Sequence, residues 1–348
     1  MNQSLYCNPK IYIEDLDVFQ DITGNINIPG NNQLSTLQFK LKGVGIEESA
    51  LMHKQIKFYL NYGAEDTSPF FMGYIKKVNY SENEVDIQAY DARCIIAGEY
   101  AQRISFDENF NYDGYSVGSF VKSYIDKYVN TKNILISTDE LKDTDPPVPM
   151  LAKRAENVTP YQIILNNIKH ALSMESVEET FSYEIDMNYN NNIPSITFVK
   201  QKPLSNTGVP FSYGDGISKL KYKKKSLPNR GMIGQVSVDF GGIKDSHRIS
   251  KDIKNKLLEK NLEGKIPSPA ITRREGYKAL LRYRKETYEV NLEATKGFYL
   301  QLGQLIYLNV DNEVKGNHRI TSKKISFGGA SAKVDFKLNT KPLTYMKY

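Results

Sequence analysis

Alternation of apolar and polar residues at both ends of the chain constrains its fold more than any other feature. The pattern runs through Thr36–Leu41, Ile56–Tyr62 and Glu84–Ala89, with glycine, proline and asparagine between the runs. Successive side chains of a strand point to opposite faces, so this period predicts antiparallel strands with one buried and one solvated face. Residues 1–101 therefore favour a small β-barrel or sandwich.

The middle of the chain has a helical period instead. Six apolar residues fall on one stripe of a helix: Val117, Phe120, Val121, Tyr124, Ile125 and Tyr128. Thr159–Gln162 has the capping residues and the proline that open a second helix. Thr180–Met187 and Ser195–Lys200 predict a hairpin. Residues 102–206 are therefore predicted to form a separate α+β domain.

Strand-like alternation returns in the last part of the chain, residues 207–348. The runs are Met232–Phe240, Tyr288–Ala294, Leu305–Val310 and Ala332–Leu338. A charged stretch, residues 244–286, interrupts them, and we expect a helix in it near Ser250–Leu258. The fold class predicted is mainly β with α+β: two β domains flank an α+β domain, and the second β domain contains a charged helical insertion.

Residues that usually carry enzyme chemistry are scattered along the chain. The four histidines lie more than 70 residues from one another: His53, His170, His247 and His318. No zinc-ligand spacing, nucleophile elbow or phosphate-binding glycine motif is present. Cys7 and Cys94 are expected to be buried free thiols. The sequence thus predicts no catalytic, metal or cofactor site, and a protein that is not an enzyme.

Basic charge is concentrated in one segment. The net charge is +6, and residues 219–230 contain six basic side chains and no carboxylate: Lys219, Lys221, Lys223, Lys224, Lys225 and Arg230. Without these six, 40 basic residues face 40 acidic ones. One interpretation is a solvated edge strand protected by lysines. The other is an electrostatic contact with an acidic protein or a nucleic acid, although Tyr222 is the only aromatic residue available there for base stacking.

Neither a membrane span nor a secretory leader is predicted. The longest apolar runs, such as Cys94–Ala97, are far shorter than the ~20 residues of a membrane helix. Met1–Lys10 has neither the basic start nor the apolar stretch of a signal peptide, which predicts synthesis in a cytoplasm.

The order of short motifs carries a family resemblance. The C-terminal part reads Gly303–Leu308, Gly316–Ser322, Ile325–Phe327 and the final alternating strand, and Phe71–Ile75 has the form FxGxI before a strand that ends at Tyr90–Asp91. This order resembles the baseplate hub proteins of phage tails, a group that includes late-control D-like proteins. It is also similar to the N-terminal part of type VI secretion spike proteins.

The resemblance implies an arrangement rather than a reaction. Two similar β-barrels in each chain would lie side by side, so a homotrimer would form a ring of six barrels. Such a ring would adapt a sixfold tail tube to a threefold central spike. The implied partners are the tail tube protein, a central spike or tip protein, baseplate wedge proteins and the tape measure protein. The implied location is the baseplate of a virion, a tailocin or another contractile injection particle, made in the host bacterial cytoplasm.

Two other functions stay open. One is a receptor- or carbohydrate-binding tail tip module, suggested by the 24 tyrosines and the many short strands. The other is a cell-wall hydrolase or peptidase within a tail, for which no catalytic residue can be named. The end of the chain at Tyr348, soon after the last hub-like strand, predicts a spike that is a separate protein.

The basic segment yields a test. Replacing Lys221, Lys223 and Lys225 together by Glu should impair particle assembly, because the contact would lose its positive charge, while the isolated protein stays folded. Particle yield and circular dichroism measure the two effects. A normal yield from the triple variant would contradict the assembly role.

Overall fold

The computed structural model describes the chain in segments. They are residues 6–16, 18–20, 22–30, 33–42, 45–97, 104–106, 117–130, 135–141, 155–162, 164–165, 183–189, 192–200, 208–225, 235–240, 243–247, 257–261, 287–310 and 313–339. All structural features below belong to these residues.

Strands dominate the fold. In chain order they are β1 (Lys10–Ile13), β2 (Val18–Phe19), β3 (Thr23–Ile28), β4 (Thr36–Lys42), β5 (Gln55–Tyr59), β6 (Phe71–Tyr80), β7 (Glu84–Asp91), β8 (Ile104–Phe106), β9 (Ala155–Val158), β10 (Tyr183–Asn188), β11 (Ser195–Lys200), β12 (Val209–Tyr213), β13 (Gly216–Lys225), β14 (Gln235–Phe240), β15 (Ile243–His247), β16 (Leu257–Asn261), β17 (Thr287–Ala294), β18 (Leu305–Leu308), β19 (Gly316–Gly328) and β20 (Ser331–Asn339). The helices are α1 (Glu48–Leu51) and α2 (Val117–Tyr124), with a 3₁₀ turn at Ala92–Ile95 and a π-helical turn at Ile125–Val129.

Thirteen strands form one sheet. Their order is β18-β12-β13-β17-β20-β19-β3-β4-β7-β6-β5-β1-β2. Strand β18 also pairs with β19, which closes β12, β13, β17, β18, β19 and β20 into a six-stranded barrel. The alternation seen in the sequence is confirmed: in β4, Leu37, Phe39 and Leu41 are buried and their neighbours are not. Both ends of the chain contribute to a single hydrophobic core, which includes Phe39 and Phe336.

The two β units have the same topology. The first unit contains β3-β4-β7-β6-β5 and the second contains β13-β17-β20-β19-β18, in the same order both in space and along the chain. All neighbouring pairs in both sets are antiparallel. A bulge interrupts β6 between Ile75 and Lys77, and a bulge interrupts β19 between Ile320 and Ser322. The predicted pair of similar β units is therefore confirmed.

Matching hydrogen bonds show how closely the two units correspond. His53 N donates to Ile75 O at 3.0 Å, and Gly303 N donates to Ile320 O at 2.9 Å. The reverse bonds, from Ile75 N to Lys54 O and from Ile320 N to Gln304 O, are both 3.0 Å long. His53 and Gly303 share a left-handed backbone, with φ of 66° and 80°. The turn before β5 and the turn before β18 therefore have the same backbone hydrogen bonds and the same left-handed residue.

The units differ at the side where a barrel would close. In the second unit, β12 runs parallel to both β13 and β18 and joins them. In the first unit, β1 pairs antiparallel with β5, and the outer edge of β3 from Gly24 to Ile28 is occupied by β19. Since β19 takes this edge, no described strand of the first unit closes onto β3.

The α+β part has its own core. Helix α2 and the β10–β11 hairpin appear as predicted, and Thr159 Oγ1 accepts a hydrogen bond from Gln162 N at 3.3 Å, which confirms that cap. Val121, Ile125, Ile185 and Ile196 are buried together against the 3₁₀ turn that follows β7.

The predicted helical insertion is wrong where the structure describes it. Leu257–Asn261 forms strand β16, parallel to β14, and β15 pairs with the other side of β14. A short apolar pair such as Leu257-Leu258 has no period of its own, so partner strands decide its conformation. Residues 248–256 and the segment 262–286, including its capping box, lie outside the described residues.

The close approach of β6 to β7 can be tested at Gly73. A Cβ there would overlap the carbonyl oxygen of Tyr90, whereas a Cβ at Gly45 would meet no atom within 4 Å. Gly73→Ala should therefore lower the free energy of unfolding by about 1–3 kcal/mol, and Gly45→Ala should have little effect. Chemical denaturation measures both. Equal stability of the two variants would contradict the predicted overlap.

Candidate assembly surface

One antiparallel junction joins the two β units. In it β19 pairs with β3, with Lys323 opposite Ile28 and Phe327 opposite Gly24. Ile26 and Ile325 face each other at its centre and are both fully buried. The junction produces a continuous antiparallel layer of eight strands, β13-β17-β20-β19-β3-β4-β7-β6.

Each end of this layer has an open edge. At one end, β12 pairs with β13 only at Gly216 and Ile217, and leaves the outer side of Lys219–Lys225 open. At the other end, β5 pairs with β6 only as far as Tyr74, and leaves Val78–Tyr80 open. In the part of the chain that the structure describes, no strand pairs with either edge. Such edges are templates for pairing with another chain.

Five of the six basic residues singled out in the sequence lie on β13. Lys219, Lys221 and Lys223 are exposed and share one face of the strand, opposite Glu293, Asn291 and Glu289 of β17. Lys224 and Lys225 lie opposite Tyr288 and Thr287. Arg230 lies outside the described residues. The structure therefore places the basic segment on an edge strand.

The face of the layer that points away from the cores is polar. Lys40 of β4 and Glu84 of β7 form an ion pair of 2.7 Å across this face. Gln38 Nε2 donates to Asp86 at 3.1 Å, again between β4 and β7. The lysines of β13 thus extend a charged surface that runs along both units.

A buried ion pair fixes the α+β part to the first β unit. Arg93 contacts Asp91 at 2.6 Å, and both side chains are almost fully buried. The guanidinium also donates to the carbonyl oxygens of Ile185 in β10, at 2.8 Å, and of Gln33, at 3.1 Å. The hydrogen bond to Ile185 therefore ties β10 to the sheet. Removal of either Arg93 or Asp91 would leave the other charge buried and unpaired.

A polar cavity of about 340 Å³ lies beside this ion pair, with Arg93, Asp186, Tyr299 and Lys323 among its lining residues. Lys323 Nζ donates to the carbonyl oxygens of Phe298, at 2.9 Å, and Leu300, at 2.6 Å. Burial lowers the pKa of Lys323 to about 8, against the opposing attraction of Asp186. Lys323, which lies on the junction strand β19, therefore holds the turn before β18 through these two hydrogen bonds.

The described residues offer little support for a metal site, a membrane span or a reactive thiol. They include no group of three or more metal-ligating side chains, and no helix long and apolar enough to span a membrane. Cys7 and Cys94 are buried and free, as predicted. Burial raises the pKa of Cys7 to about 11 and that of Cys94 to about 12, which disfavours the reactive thiolate.

The sequence did not reveal the second open edge. Val78–Tyr80 follows the FxGxI motif directly, but its exposure depends on where β5 stops pairing. The acidic turn after it, with Glu82 and Glu84, is the only signal in the sequence that could have indicated a counterpart to the basic strand.

Solved structures with a similar fold include two tail proteins. The 43 kDa tail protein of prophage MuSo2 from Shewanella oneidensis is 12% identical, with 95% of this chain and 97% of that chain covered and a TM-score of 0.61. A tail protein from Neisseria meningitidis is 11% identical, with coverage of 96% and 97% and a TM-score of 0.60.

A third similar structure is the E. coli c3393 protein. It is described as a component of the type VI secretion system with structural similarity to the T4 tail proteins gp27 and gp5. It is 10% identical, with 97% of this chain and 77% of that chain covered and a TM-score of 0.56. No protein-family model and no curated protein matches the sequence. At these identities the likeness is one of fold, and the resemblance predicted from the motifs is confirmed at that level.

Lys323 predicts a pH dependence of stability. Its pKa is about 8 in the fold and 10.5 without burial, so between these values the unfolded chain binds more protons and stability rises with pH. Relative to Lys323→Met, the wild type should gain up to about 1.4 kcal/mol per pH unit in this window. Denaturation curves measure this, with Lys324→Met, an exposed neighbour, as the control. Parallel pH profiles for wild type and Lys323→Met would contradict the prediction.

Proposed function

We propose that this chain is the structural baseplate hub of a phage tail or tail-like contractile injection particle, and that it works as a trimer that adapts the sixfold tail tube to a threefold central spike. The single observation that supports this most is the duplication. Two β units share a five-strand topology and are joined edge to edge in one chain. A structural role needs no catalytic group.

The symmetry argument follows from this duplication. A sixfold tube requires six similar docking patches, and three chains with two similar units each supply six. The continuous eight-stranded layer would then form the wall of a central channel, with its polar face toward the lumen. Because the two open edges differ, copies can join head to tail, and such contacts close into a ring of three when each copy is rotated by a third of a turn from the last.

The partners follow from this position in the particle. They are other copies of the chain, the tail tube protein, a central spike or tip protein, and further neighbours of the hub, namely baseplate wedge proteins and the tape measure protein. The tail proteins and the type VI secretion component that share the fold support a location in a baseplate. The α+β part would lie outside the ring or face the spike.

Electron microscopy of the purified protein at high concentration, with native mass spectrometry in parallel, tests the proposal. The expected result is a threefold ring with six similar lobes around a channel and a mass three times 39.7 kDa. A monomer at every concentration would contradict the trimer. A monomer that also binds oligosaccharides in a titration would favour the tail tip module instead.

A further inference from the structure

The correspondence between the two β units fixes which residues are equivalent. Ile75 and Ile320 accept and donate the same turn hydrogen bonds, and a bulge follows each of them. Beyond the bulge, the three residues of the open β6 edge occupy the positions of three residues of β19. Val78 matches Lys323, Asn79 matches Lys324, and Tyr80 matches Ile325.

The correspondence continues across the neighbouring strands. In the first unit, one row of directly opposed residues runs Ile75, Ala89, Leu37, Ile26. In the second unit, the matching row runs Ile320, Leu338, Val290, Tyr222. Tyr222 therefore occupies the position of Ile26, and by the same register Lys223 and Lys224 occupy those of Asn27 and Ile28.

The junction within the chain is thus a template for a second junction. Within the chain, β19 pairs with β3. The strand equivalent to β19 is β6 and the strand equivalent to β3 is β13, and these are the two strands whose edges are open. Since both members of this second pair lie at opposite ends of one layer, they can meet only between two copies of the chain.

Exposure of the two tyrosines supports this second junction. At the centre of the junction within the chain, Ile26 and Ile325 are 0% exposed. Their equivalents, Tyr222 and Tyr80, are 44% and 47% exposed. Both side chains would be covered if the edges paired, and aromatic pairs directly opposed on neighbouring strands are stabilising.

The residue types at one position of the two junctions also match. The junction within the chain places Lys323 opposite Ile28, and the second junction would place Lys224 opposite Val78, again one lysine and one aliphatic residue. The register continued beyond Tyr80 brings Ser81 and Glu82 of the acidic turn beside Lys221 and its neighbours. Two β13 edges would instead oppose lysines to lysines, which disfavours a symmetric pair.

We propose that β6 of one copy pairs antiparallel with β13 of the next, with Val78 opposite Lys224, Asn79 opposite Lys223 and Tyr80 opposite Tyr222. This inference rests on the proposed hub function, because three such contacts close the ring. The basic strand then serves as a subunit contact through its backbone, and Lys221 and Lys223 stay on the polar face of the continuous layer.

Cysteine cross-linking tests the register. Directly opposed residues of antiparallel strands have Cα atoms about 4.5–5.5 Å apart, within the range of a disulfide. The double variant Asn79→Cys/Lys223→Cys should form intermolecular disulfides on mild oxidation, up to a covalent trimer on a denaturing gel. The control Asn79→Cys/Lys219→Cys keeps the same strand face but moves the second thiol by about 13 Å, and should stay monomeric on that gel.

Mixing the two single variants adds a test of direction. Asn79→Cys alone and Lys223→Cys alone should give no cross-link, whereas their mixture should give a covalent dimer. The buried Cys7 and Cys94 are common to all variants. Cross-linking of either single variant with itself would overturn the head-to-tail pairing.

The outcomes separate this inference from the hub proposal. A six-lobed ring in electron micrographs, with no cross-link in the Asn79/Lys223 variant or with equal cross-linking in the control, would overturn the register and leave the hub function standing. Absence of any ring for the wild-type chain, with no cross-link in the variants, would remove the proposed trimer and the contact together. Specific cross-linking within a ring supports both.

Discussion

Backbone pairing between β3 and β19 is the contact on which the rest of the structure depends. These strands lie near opposite ends of the sequence, yet their pairing merges two β units into one layer with one hydrophobic core. Bringing together segments so far apart costs loop-closure entropy. The buried isoleucines Ile26 and Ile325 and the braced Lys323 add side-chain contacts at the same place, so the junction is stabilised both along its backbone and through its core.

The α+β part depends on this layer through charge as well as apolar packing. Arg93 and Asp91 lose their hydration when they are buried, and mutual attraction together with several carbonyl acceptors offsets that cost. Such a contact adds little net stability, but any other placement of β10 would remove the Ile185 carbonyl that accepts the hydrogen bond from Arg93 Nη1. The hydrogen bond from Arg93 to Ile185 therefore favours one placement of β10 against the sheet.

Lysines on β13 account for two properties of the same edge. A strand edge with free backbone groups tends to pair with any other strand, and a row of exposed lysines discourages this. The same charges favour a partner strand that is followed by a carboxylate, and Glu82 lies in the turn after β6. One set of lysines can thus protect the isolated chain from unwanted strand pairing and also select the partner strand. Electrostatic contacts of this kind contribute more to specificity than to affinity.

The sequence by itself determined the strands, because alternation in Thr36–Leu41 or Ala332–Leu338 reports which side chains face a core. It also determined the helix α2 and the basic segment, which are local patterns. Tertiary structure alone decided that Leu257–Asn261 is a strand, since its partner β14 supplies the hydrogen bonds. It alone decided that β19 occupies the outer edge of β3, so that no described strand of the first unit closes onto that edge. The acidic turn after Val78–Tyr80 was the only hint of an open edge there, since an edge is defined by where a neighbouring strand ends, and that is a property of the whole layer.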